Sequence, residues 1–100
     1  MSSRGQEILV KALANALDKV SPGLKVVLET HLRVSLGEGL EVAYKDPKKF
    51  KDAVAKLFGE YSSRLLEMVV IDQVKDVLGS SEPPDTLEEL VDVLKEIYGD

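Results

Sequence analysis

Apolar residues recur along this chain at the three- and four-residue spacing of amphipathic helices. Between residues 6 and 20, Ile8, Leu9, Ala12, Leu13, Ala16, Leu17 and Val20 share one broad face, with Glu7, Lys11, Asn15 and Asp18 opposite. Ser21 and Pro22 then predict the start of a second helix, Ser as N-cap and Pro in the first turn. Its stripe is Leu24, Val27, Leu28 and Leu32, and Gly37 and Gly39 end it. Asp46 and Pro47 open a third helix that runs to Phe58, with Phe50, Ala53, Val54, Leu57 and Phe58 inward. A fourth runs from Glu60 to Leu78, and Gly59 and Gly79 are suited to the left-handed conformation that ends helices. From Leu65 to Ile71 this helix is apolar at every position except Glu67. A helix apolar nearly all round is central, or is shared between two chains.

The helical spacing breaks twice. Leu40, Val42 and Tyr44 alternate with Glu41 and Ala43, which predicts an extended segment in need of a partner strand, one that a second copy would supply. Gly79 to Asp85 contains Pro83 and Pro84 and reads as a linker. After it, Thr86 and Glu89 make a capping box, and Leu87, Leu90, Val91, Leu94, Ile97 and Tyr98 form a clean stripe. The expected architecture is all-α: a compact bundle of about five helices, the fourth central and the fifth amphipathic on its Pro-containing linker. Residues 1–79 form the helical core, 80–85 the linker, and 86–100 a helix that docks on its own domain or on a partner chain. Phe58, Leu66, Val70 and Val74 are expected at the centre of the core.

Composition narrows the function more by exclusion than by assignment. The chain has no cysteine and a single histidine, which excludes disulfides, thiolate nucleophiles and multi-histidine metal sites. A net charge of -5 argues against nucleic acid or an anionic membrane as partner. No apolar run approaches the ~20 residues that span a bilayer, and the first residues carry Glu7 and Lys11 rather than a signal-peptide core, so a cytoplasmic protein is expected. One Asn, two Gln and abundant Lys and Glu fit a thermophile.

One stretch carries a family resemblance. A Pro-initiated helix runs through Phe to a Phe-Gly hinge, and a Leu-Glu pair then opens a long apolar helix that ends in Leu-Gly. Those positions are Asp46, Pro47, Phe50, Phe58, Gly59, Leu66, Glu67, Ile71, Leu78 and Gly79. The pattern resembles a small archaeal all-helical family, the Nitrosopumilus-type output domains, with a similar layout over residues 5–98. It departs at Tyr61-Ser62-Ser63, where the family pattern has a second glycine and a small residue. The resemblance implies an interaction or output module of undefined biochemical role, and it supplies no catalytic residues.

Glu67 is the sharpest anomaly, because an unpaired buried carboxylate is costly. It is expected either to contact a ligand or partner or to meet Arg64, Ser63 or the free N–H groups of a neighbouring helix start. If it is held for function rather than stability, Glu67→Leu should be neutral or stabilising. His31, on the second helix beside Val27, Leu28 and Val34, is a further candidate contact, as is Arg64. Leu65, Met68 and Val69 lie outside the fourth helix's main arc and, with Leu90, Leu94 and Ile97 of the last helix, form the candidate interface. A basic patch, Lys45, Lys48, Lys49, Lys51 and Lys56, faces the acidic last helix in charge and would steer one copy's tail to another.

Two readings follow. The first is a non-catalytic interaction or signalling-output module, expected as a homodimer, with an unidentified protein as a further partner and no cofactor. The second is a helical domain that binds a small apolar ligand with Glu67 as polar anchor. No motif sets a nucleophile beside a base, so an enzyme is not expected.

Overall fold

A computed structural model describes residues 3–79 and 83–99. Six helices follow one another among the described residues: α1 (Arg4–Val20), α2 (Leu24–Leu36), α3 (Val42–Lys45), α4 (Pro47–Phe58), α5 (Glu60–Leu78) and α6 (Leu87–Tyr98). The fold is all-α, and there is no strand among the described residues. Ser80, Ser81 and Glu82, in the expected linker, lie outside the described residues.

The caps follow from local chemistry. The Ser3 hydroxyl accepts from Gln6 N, Asp46 from Lys49 N and Thr86 from Glu89 N, each covering an N–H that the first turn leaves without a helical partner. Gly59 joins α4 to α5 at φ 93°, ψ 161°, a conformation that only glycine adopts without strain. Two expectations fail at the ends of α2 and beyond it. Ser21 closes α1 instead of opening α2, giving its N–H to Leu17 O, and α2 starts from Gly23 at φ 88°. The expected extended segment at residues 40–44 is a tight turn leading into α3, with Val42 N bonded to Gly39 O, Ala43 N to Leu40 O and Asp46 N to Val42 O. Leu40, Val42, Ala43 and Tyr44 are all buried, so the alternation carried no two-faced meaning. Glu41 folds back so that its carboxylate accepts from Gly39 N (3.1 Å) and stabilises the turn.

The core lies between α1, α4, α5 and α6, with α2 and α3 closing one side. Leu9, Leu13, Leu17, Leu28, Leu32, Val42, Val54, Val70, Val74, Leu90 and Leu94 are shut off from solvent. Leu66, Val70 and Val74 stand in this core as expected, whereas Phe58 is only partly buried at its edge. α5 gives one face to α1 and α4 and leaves Tyr61, Leu65, Met68 and Val77 in solvent on the other. α6 packs on α1, α4 and α5 of its own chain. The radius of gyration, 12.6 Å, matches the ~13 Å of a fully packed domain of this length. Leu66→Ala or Val70→Ala should cost about 1–4 kcal/mol in urea denaturation. A loss below about 0.5 kcal/mol at both would place this face outside the core.

Candidate functional site

The start of α6 is pinned by a carboxylate that belongs to another helix. Glu67, mid-way along α5, is 6 % exposed. Its Oε2 accepts from the Leu87 backbone N–H (2.6 Å) and from Lys51 Nζ (3.0 Å), and its Oε1 accepts from Arg64 Nη1 (2.9 Å). Leu87 is the first residue of α6, so this N–H has no acceptor inside the helix. A carboxylate there also meets the positive end of the helix dipole. Arg64 donates onward to Asp85 O (2.8 Å), and Lys51 reaches Glu88 Oε1 (2.7 Å). Glu89 accepts from Asp85 N (2.8 Å), so the capping box closes one residue earlier than the sequence suggests. Ser63 turns the other way and donates to Lys51 O (3.3 Å), which orients α4 against α5. Burial pushes the Glu67 carboxyl up, but the bonds from Leu87, Arg64 and Lys51 outweigh it and hold the group below its ordinary value.

Of the residues picked out from sequence, Glu67 and Arg64 meet in this cluster, and His31 does not. The His31 ring lies elsewhere, between α2 and α4, with Nε2 3.1 Å from Ala53 O. The Nε2–H tautomer donates to that carbonyl. Val27 and Val34, expected beside it on an inward face, are exposed. Lys51 was absent from the site read in the sequence. Its signal was the contrast between the basic third helix and the acidic last one, which the chain satisfies within itself through Lys51 and Glu88. Lys95 of α6 repeats the theme from the other side, 5.5 Å from the centre of the Tyr44 ring.

The candidate interface divides. Leu90 and Leu94 are fully buried against the rest of the chain and present nothing to a partner, because α6 docks in place. Val69 is partly buried. Leu65, Met68 and Ile97 remain about half exposed, at 45, 51 and 52 %. The space beside Glu67 amounts to about 10 Å³, lined by Leu13, Phe50, Val54, Leu66, Val70 and Leu87 among others, which is room for one water at most. No group of three or more metal-ligating side chains occurs among the described residues. None of the helices there is long and apolar enough to cross a membrane.

Residues 3–96 match the family described as Nitrosopumilus output domain 5. The chain belongs to this family. The crystal structure of PH0832 from Pyrococcus horikoshii OT3 is similar to this output domain at 55 % sequence identity, over 98 % of this chain and 100 % of that one, with a TM-score of 0.93. No curated protein matches the chain. The Asp46-Pro47 start, the Phe58-Gly59 hinge and the Leu66-Glu67 pair all fall within the matched residues.

Proposed function

We propose that this output domain is a non-catalytic interaction or signalling-output module that associates with a second copy of itself. The observation that supports it is a filled core beside unfilled surfaces: the interior holds no ligand-sized space at Glu67, while α2 and α5 keep rows of aliphatic and aromatic side chains in water. Rows of this kind cost solubility unless a partner covers them. The family description, output domain, fits a part that passes a signal by contact rather than by chemistry. The net charge of -5 favours a protein partner over nucleic acid or an anionic membrane, and a cytoplasmic setting agrees with the cysteine-free composition. Glu67 as the anchor of a small apolar ligand finds little support, since its carboxylate oxygens already accept from Leu87, Lys51 and Arg64.

Light scattering at several concentrations tests the reading. A dimer that dissociates on dilution is expected. A monomer at high micromolar concentration would overturn it.

A further inference from the structure

The outer face of α2 holds a pattern that neither the core nor the Glu67 cluster uses. Val26, Val27 and Val34 stand 65, 50 and 83 % exposed, with Thr30 between them. Valine is a modest helix former, and three exposed valines on a helix of thirteen residues gain nothing from solvent. The hydroxyl of Thr30 donates to Val26 O within the same helix (2.9 Å), so the only polar side chain in the row is already satisfied and its methyl group is left for contact. Val26, Glu29, Thr30, Arg33 and Val34 together line a shallow hollow of about 340 Å³.

Apart from Val27, whose counterpart across Thr30 is Arg33, the row is symmetric about Thr30. Val26 and Val34 lie four residues to either side of it, and Gly23 and Gly37 lie seven residues to either side. Nothing stands within 4 Å of where a Cβ would be on either glycine, so both ends of the row are low and open. In an isologous contact one patch meets its own copy across a two-fold axis, and an axis at Thr30 sets Val26 of one copy opposite Val34 of the other.

The charges agree with the same axis. Glu29 and Arg33 flank the row on one edge, and in an antiparallel pair related by a two-fold axis each edge faces its own copy. With the axis at Thr30, Glu29 of one copy and Arg33 of the other are offset by about 3 Å along the helices, within reach of an ion pair that forms twice. Glu29 makes no ion pair within the chain among the described residues.

We infer that the α2 face centred on Thr30 is the homodimer interface, two copies of α2 packing antiparallel with Val26 of each against Val34 of the other. This rests on the reading of the chain as a self-associating module and replaces the α5 surface as the place of contact.

The chain lacks cysteine, so a single introduced thiol reports its neighbours without background. In Thr30→Cys the thiol sits on the axis and should link to its own copy on mild oxidation, giving a covalent dimer with unchanged helicity. Leu65→Cys should stay uncrosslinked. Val34→Arg should weaken the dimer at least tenfold while circular dichroism and the urea midpoint stay as in the parent, because Val34 touches little of its own chain. Glu29→Arg should dissociate the dimer, and the exchange of both charges, Glu29→Arg with Arg33→Glu, should restore it. If the dimer persists in Val34→Arg and breaks in Leu65→Arg, the α2 interface is overturned while self-association stands. If crosslinking appears at residue 65 and not at 30, the same holds. If the parent chain is monomeric throughout, both fall.

Discussion

Removing residues 80–100 should abolish folding rather than trim the molecule. Leu87, Leu90, Val91 and Leu94 are each at most 2 % exposed, and they cover a groove formed by α1, α4 and α5. Burying one such side chain is worth about 1.5–3 kcal/mol, so the four together contribute on the order of 6–12 kcal/mol. A domain of this size is stable by about 5–15 kcal/mol in total. Loss of α6 therefore removes most of the margin and opens the apolar groove to other molecules. Far-UV circular dichroism and sedimentation of the truncated chain test this. A soluble, cooperatively melting fragment would show that α6 is dispensable.

Glu67→Leu should be destabilising, the opposite of the outcome expected if the carboxylate were held for function rather than for stability. The substitution leaves the Leu87 N–H, Lys51 and Arg64 without their shared acceptor. The buried Leu87 N–H left without an acceptor costs about 1–3 kcal/mol, while Arg64 keeps Asp85 O and Lys51 keeps Glu88. Glu67→Gln keeps one acceptor oxygen for Leu87 and Lys51, while its NH2 cannot accept from Arg64; it should cost less than leucine because the buried Leu87 N–H stays paired. The direction of the pKa shift adds a pH signature. A carboxyl held below its ordinary value in the folded state is more easily ionised there than in the unfolded chain. Its stabilisation is complete above the unfolded value of about 4.3 and fades as pH falls through the lower folded value. Urea midpoints from pH 6 down to pH 3 should fall for the parent and fall less for Glu67→Gln. Parallel curves would mean that Glu67 is no better bound as an anion when folded. The turn carboxylate Glu41, also held low, contributes in the same range in both proteins, so the difference between the curves belongs to Glu67.

What the sequence revealed, and what it concealed, has a physical pattern. Helices with a strong local signal are legible: Asp46-Pro47 opens α4, Thr86 caps α6, and most of the inward stripes of α1 and α4 is buried, with Ile8, Leu57 and Phe58 partly buried and Val20 in solvent. The stretch over residues 40–44 misleads because Ala43 is apolar too, and three consecutive buried residues, Val42, Ala43 and Tyr44, give no polar face to set the period. Val27 and Val34 were assigned inward because a valine carries the same apolar signal on either side of a helix. Only the packing of Leu28 and Leu32 against the core decides which arc of α2 looks out. For the Glu67 cluster, the need for partners followed from one acidic residue in an apolar run, and Arg64 from its place three residues earlier. Lys51, sixteen residues away, and the backbone of Leu87 came together only through the docking of α6.

The depth of the Glu67 cluster sets it apart from the Glu29 and Arg33 edge of α2 in how each responds to ionic strength. Dissolved ions shorten electrostatic reach from about 10 Å at 0.1 M salt to about 3 Å at 1 M, but only where they can approach the charges. Glu67 is enclosed by Leu66, Val70 and Leu87, while Glu29 and Arg33 lie at the rim of an open hollow. Added salt should therefore weaken the attachment of α6, where the Leu87 N–H bond to the buried Glu67 persists, less than the Glu29–Arg33 contacts of the proposed dimer. For the proposed dimer, a salt series therefore distinguishes assembly from folding without altering a residue.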